Sequence, residues 1–213
     1  MPATPEPSPT RSTVAELPAA FRDFVRAEVA PALAAGDVSF FERHAVTEPI
    51  VCTPDNTPSL PGGPNCQTVG REFDGFVLGT YQSELFVVPL EEGLHSIQQL
   101  KSQEAANATD DFGDATPRVY ALGVPSAAWV IRDGASVLIE DQSSHAVVLT
   151  GLIERPAGLS NRLPNPIRAV AILNWIPAAE GYELASVISA VAGGREFLEV
   201  SIDSWPLWEA FEP

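Results

Sequence analysis

The apolar residues of this chain change their spacing once, near residue 118, and that change fixes the fold class. Before it, Leu17, Phe21, Phe24, Val25, Val29 and Leu33 recur every three or four positions, one face of a helix. Ser12 or Thr13 is placed to cap it, with Glu16 at capping-box spacing from Thr13. The helix is expected to run to about Ala35, with Pro31 kinking or splitting it. Gly36 stops it, Asp37 caps the next, and Val38, Phe40, Phe41 and Ala45 form a second short helix ending near Glu48 and Pro49. Residues Glu91 to Ala105 again read as helix, and Asn107 to Thr116 as polar turn.

From Arg118 the period is two. Strands are expected at Arg118–Val124, Ala128–Arg132, Ser136–Glu140, His145–Glu154, Ile167–Ile176, Tyr182–Ala190 and Glu196–Ile202. Asp133-Gly134 is a strong two-residue hairpin signal, Pro177–Gly181 a polar turn, and Gly158–Pro166 a long exposed connection. Helices first and strands after predict an α+β fold, with N-terminal helices packed on a curved, antiparallel, cone-like β-sheet in meander order. Residues 1–13 read as a disordered proline-rich tether and residues 14–213 as a single α+β domain.

Two cysteines, Cys52 and Cys66, bracket a stretch rich in proline, glycine and asparagine, where neither helix nor strand is expected. A disulfide between them would stabilise the fold by about 3 kcal/mol. Disulfides persist outside the cytosol. The start, with prolines at positions 2, 5, 7 and 9, has no apolar stretch of a signal peptide. Met1 is expected to stand where a longer precursor carries a removed signal or lipid-anchoring segment. The expected location is therefore extracellular or in the cell envelope, with lipid anchoring through that segment.

The formal net charge is −16, with Lys101 the one lysine. A surface this acidic repels phosphate backbones and anionic lipid, so neither nucleic acid nor a membrane surface is expected as partner. No apolar run approaches the roughly 18 residues that a membrane-spanning helix needs. Solubility alone accounts for the charge, though cationic ligands and Ca²⁺ are compatible with it.

The element order resembles the NTF2-like superfamily, the cone-shaped α+β fold that includes the SnoaL-like enzymes. The first helix carries the resemblance, with Ala35-Gly36-Asp37-Val38 opening a short second helix at Phe40-Phe41. Gly70 with Phe73 to Phe76 near a third helix, and the strands that follow, complete it. It spans most of residues 14–205, by architecture more than by motif. The cysteine loop is longer than that family usually has, and residues 77–117 are long for one helix. The resemblance implies a pocket between the concave sheet face and the helices, in a family of isomerases, dehydratases, cyclases and non-catalytic binding domains.

His44, late in the second helix, forms with Asp37 the best general acid–base candidate, although capping alone also explains Asp37. Asp110, Asp111 and Asp114 cluster around a glycine and could offer oxygens to Ca²⁺, but without EF-hand spacing they read better as a solvated turn. His44, His95 and His145 have no metal-binding spacing. Glu140 to His145 holds the residue types of a Ser–His–acid set, which neighbours along a strand cannot bring together. Trp129, Trp175 and Tyr182, with Tyr120, are candidates to line an apolar binding pocket, or to pack a core. Trp205 and Trp208 are expected to tie down the C-terminal segment. Phosphate loops are absent, and no cofactor is expected.

The leading expectation is an exported bacterial domain that binds a small ligand or protein partner without catalysis. The alternatives are a small pocket enzyme of isomerase or dehydratase type, and a cell-surface structural or interaction module. A homodimer through the sheet is a further expectation.

Overall fold

The computed structural model describes residues 17–57, 59–80, 85–95, 97, 117–125, 127–140, 145–152, 167–190 and 205–211. The expected tether, the Thr13–Glu16 capping box, the acidic turn, the Gly158–Pro166 connection and the Glu196–Ile202 strand lie outside these residues. So does the second half of the Glu91–Ala105 helix.

The first helix starts at Ala19 and runs through α1 (Ala19–Phe24), a π-helical turn (Val25–Val29) and α2 (Ala30–Ala35). The widened turn sits where Pro31, lacking an N–H and crowding the carbonyl four residues back, prevents regular α-helical bonding. Gly36 ends the helix, and α3 (Val38–His44) follows at once. Residues 90–95 are helical.

The strands are β1 (Glu48–Val51), β2 (Glu72–Thr80), β3 (Leu85–Pro89), β4 (Pro117–Val124), β5 (Ala128–Arg132), β6 (Ala135–Ile139), β7 (His145–Leu152), β8 (Ile167–Pro177), β9 (Tyr182–Ala190) and β10 (Leu207–Ala210). The fold is α+β, as the change of period implies. Three features depart from the expected meander. Strands β1, β2 and β3 arise before residue 118, with Phe73 to Phe76 in β2. The order in the large sheet is β1-β2-β9-β8-β7-β4-β10, with β3 also paired to β2. The sheet is mixed rather than antiparallel, because β2 lies parallel to β9 with Val77 opposite Ser186.

A parallel pair is normally covered on both faces, and β2 is. Phe76, Leu78, Leu122, Leu173, Trp175, Leu184 and Val187 pack with the helices. On the other face Ile50, Cys52, Cys66, Val77, Val87 and Ile131 form a second, smaller core. That core sits under the separate two-stranded sheet of β5 and β6 and under the cysteine loop. The described structure thus has three layers: helices, sheet, and a layer of loop plus hairpin. Two-sided burial also explains why β2 escapes sequence reading, since both its faces are apolar and the alternation vanishes.

Gly75 leaves room for side chains from both neighbouring strands and from the third layer. A Cβ there would come within 2.5 Å of Ile50 Cγ1 on β1 and 2.6 Å of Val87 Cγ1 on β3, and 3.1 Å from Ile131 Cδ1 on β5. The sheet face beneath the hairpin also buries Asn174 and Ser186, which satisfy each other by a 2.9 Å bond from Asn174 Nδ2 to Ser186 Oγ.

The disulfide joins Cys52 to Cys66, both almost fully buried. Between them the loop is not irregular throughout. Pro54–Asn56 form a 3₁₀ turn, capped reciprocally by Thr53 and Asn56. Residues 62–65 lace onto β3 and β6: Gly62 N–H donates to Leu85 O, Asn65 N–H to Val87 O, and Val87 N–H to Gly63 O. Ser136 donates both N–H and Oγ–H to Gly62 O.

At the far edge of the sheet, Arg22 of α1 clamps Glu209 of β10 through two bonds, Nε to Oε1 at 2.6 Å and Nη2 to Oε2 at 2.7 Å. The guanidinium holds the Glu209 carboxyl below its usual pKa, against a smaller opposing effect of burial. Its contribution to stability is therefore complete above the unfolded carboxylate pKa of about 4.3 and is lost as pH falls through the lowered folded value. Both side chains are about a third exposed, which keeps the pair below about 1 kcal/mol.

Two outcomes are expected. Replacing both cysteines with alanine lowers unfolding free energy by about 3 kcal/mol in urea titrations, and amide protection falls first in β5 and β6. Glu209→Gln lowers the urea midpoint near neutral pH. It also removes part of the acid-side decline, which in the parent sets in below about pH 5 and ends as pH falls through the lowered Glu209 pKa, where parent and variant converge.

Candidate functional site

The space where the resemblance places a pocket, between α3 and the sheet, is occupied by rings. Phe24 meets Trp175 edge-on with centroids 5.0 Å apart and lies 5.1 Å from Tyr182, while Phe21 meets Tyr182 at 5.0 Å. Phe40 stands 5.1 Å from Phe41 and 4.3 Å from His44. Trp175 and Phe21 are fully buried. The Trp175 Nε1–H has no hydrogen-bond partner among the described residues, so the position selects ring volume over polarity. Burial raises the Tyr182 pKa above that of free tyrosine.

His44 is half-buried at the edge of this cluster, its centroid 6.0 Å from both Phe24 and Trp175. Its Nδ1–H donates to the Phe40 carbonyl at 2.8 Å. That bond fixes the ring to its own helix. Asp37 lies seven residues earlier, about 10 Å along the axis at 1.5 Å per residue, so the two do not meet as an acid–base pair. Asp37 instead caps α3: Oδ1 accepts the Phe40 N–H at 3.2 Å and the Ser39 hydroxyl at 2.6 Å. The Ser39 hydroxyl is the main cause of its lowered pKa, with the Phe40 N–H and Arg43 adding to it.

Trp175 and Tyr182 both pack against Phe24 in the helical core. Trp129 does not join them. It packs on the second core, beside the disulfide, on the opposite side of the sheet, because β5 leaves the large sheet and pairs with β6 alone. Asp110, Asp111 and Asp114 lie outside the described residues. Among the described residues no group of three or more His, Cys, Asp or Glu is arranged to hold a metal ion, and no helix is long and apolar enough to cross a membrane.

Sequence reading missed an open cleft on the loop-and-hairpin layer. It has a volume of about 570 Å³, and β1, the 3₁₀ turn, Pro64 and the β5–β6 turn enclose it. Pro49, Ile50, Val51, Pro64 and Ala135 supply apolar walls, and Glu48, Asp133 and Asn56 polar ones. The β5–β6 turn takes the left-handed backbone at both central residues, Asp133 (φ 52°) and Gly134 (φ 74°), as a two-residue hairpin requires. That conformation aims Gly134 N–H at Glu48 Oε2, 2.8 Å away, and locks the turn to β1. Asn56 Nδ2 donates to Val51 O at 3.2 Å and fixes the adjoining wall. The signals in the chain are Asp133-Gly134 and the cysteine pair, but nothing in sequence brings positions 48, 56, 64 and 133 together.

Exposed apolar side chains concentrate on this layer and on the adjoining β1. Of the six large hydrophobic residues exposed among those described, Val51, Leu60 and Val69 belong to β1 and the cysteine-loop region, and Val137 and Leu138 to β6. Leu60 is the most exposed, at 63%. Trp208, on β10, is the sixth. A second open cleft, of about 430 Å³, is lined by Val38, Glu42, Glu91, Glu92, Leu94 and His95.

The chain matches no family model, no curated protein and no solved structure.

The capping role of Asp37 predicts a graded result in thermal unfolding. Asp37→Asn keeps a melting midpoint close to the parent, since asparagine caps equally well, and Asp37→Ala lowers it. A lower midpoint for the asparagine variant than for alanine would contradict the assignment.

Proposed function

We propose that this chain is an exported, non-catalytic domain that binds a protein partner through its loop-and-hairpin layer. The observation that carries the reading is the placement of exposed apolar residues. Four of the six among the described residues, Leu60, Val69, Val137 and Leu138, stand on that layer, and a fifth, Val51 of the adjoining β1, lines the open cleft. Concentrations of this kind mark interaction surfaces.

The opposite side supports the same reading. Packed rings occupy the space where an NTF2-like enzyme would hold its substrate, and Asp37 and His44 are about 10 Å apart along α3. The kinship to that superfamily remains part of the proposal, in its non-catalytic branch. Export is supported by the buried Cys52–Cys66 bridge, which an oxidising compartment preserves, and by the proline-rich start of the sequence. A cell-envelope location, with lipid anchoring, completes the proposal.

The test is site-specific photocrosslinking in the cells that express the protein. A photoreactive residue at Leu60 or Leu138 is expected to give a discrete adduct, and one at Glu28, on the helical side, none. Adducts from Glu28 with none from Leu60 and Leu138 would overturn the reading.

A further inference from the structure

We infer that the cleft between β1, the cysteine loop and the β5–β6 turn receives an arginine side chain from an extended, cationic segment of the protein partner, an inference that rests on the binding reading above. Its volume of about 570 Å³ falls within the range of ligand sites. Its walls have the two parts that an arginine needs. Pro49, Ile50, Val51, Pro64 and Ala135 offer apolar surface to the methylene stem, and Glu48 and Asp133 offer carboxylates to the guanidinium.

The Glu48 carboxylate is held ready, and among the described residues no cation is paired with Glu48 or Asp133. Gly134 N–H occupies Glu48 Oε2 and orients the group, leaving Oε1 without a hydrogen bond among the described residues. The ion pairs of the described residues are Arg22–Glu209 and Arg26–Asp23, and neither touches the cleft.

Charge decides among occupants. A second copy of this chain would bring another net −16 to the face, and like charges facing each other oppose such an interface. Ca²⁺ needs six to eight oxygens, whereas this cleft has two carboxylates, one amide and apolar walls. A cationic polypeptide meets both the charge and the apolar surround. The nearby exposed Val51, Leu60, Val137 and Leu138 then cover its flanking residues.

Two measurements on the full chain test this. In the first, the amide spectrum of the protein is titrated with N-acetylarginine amide and with its uncharged isostere N-acetylcitrulline amide. Arginine is expected to give saturable shifts at Val51, Gly134 and Ala135, and citrulline at least tenfold weaker ones. Equal responses, or arginine shifts located at Glu42 and His95 instead, would overturn the inference. The second repeats the Leu138 photocrosslink in the Glu48→Gln/Asp133→Asn double variant, where the amide oxygen introduced at position 48 still accepts the Gly134 N–H. With the melting midpoint unchanged, a tenfold or greater loss of adduct supports the inference. An undiminished adduct overturns it while the binding reading stands, and no adduct from either Leu60 or Leu138 in the parent protein overturns both.

Discussion

The architecture depends on the parallel pairing of β2 with β9. Strands from the first half of the chain join a sheet made largely by the second half through that pairing, from Val77 opposite Ser186 to Thr80 opposite Ser189, with a parallel bridge from Ala45 to Leu184 beside it. Because β2 sits between layers, it must be apolar on both sides. Phe76 and Leu78 face the helical core, and Val77 faces the disulfide core. The helical cluster, with its fully buried Trp175, Phe21, Phe41 and Phe76, is the larger source of burial energy. The smaller core holds the surface on which binding is proposed.

That second core works through closure of a loop rather than through size. Its residues are few, and the Cys52–Cys66 bridge limits the freedom of the unfolded loop between them. Once closed, the loop contributes Gly62, Gly63 and Asn65 to bonds with β3 and β6, and Asn56 and Pro64 to the cleft wall. The Gly134–Glu48 bond closes the remaining side. The cleft is thus composed where β1 and the cysteine loop that follows it meet a hairpin far along the chain, with Asn56 bonded to the Val51 carbonyl and Gly134 to the Glu48 carboxylate.

Local signals are legible where local physics decides the outcome. Pro31, Gly36 and Asp37 announce the interrupted helix, the stop and the cap, because each acts through its own backbone neighbours. Asp133-Gly134 announces a hairpin, and Cys52 with Cys66 a bridge. What stays hidden is non-local. The β2 strand loses its alternation through burial on both faces, and β1 is obscured by Pro49. Trp129 carries no mark to separate it from Trp175, since an aromatic residue on a strand looks the same whichever layer receives it. The cleft has no linear signature, because Glu48 and Asp133 lie far apart in the chain and converge only when the hairpin folds over β1.

On the proposed reading, the molecule presents its binding surface on the disulfide side of the sheet and a filled core on the helical side. Crystals soaked with a library of small fragments test this most directly, because fragments report open, desolvated surface without prior choice of ligand. Fragment density is predicted in the cleft bounded by Glu48, Pro64 and Asp133, and none between α3 and strands β8 and β9. Fragments seated among Phe24, His44, Trp175 and Tyr182, with the cleft empty, would contradict it.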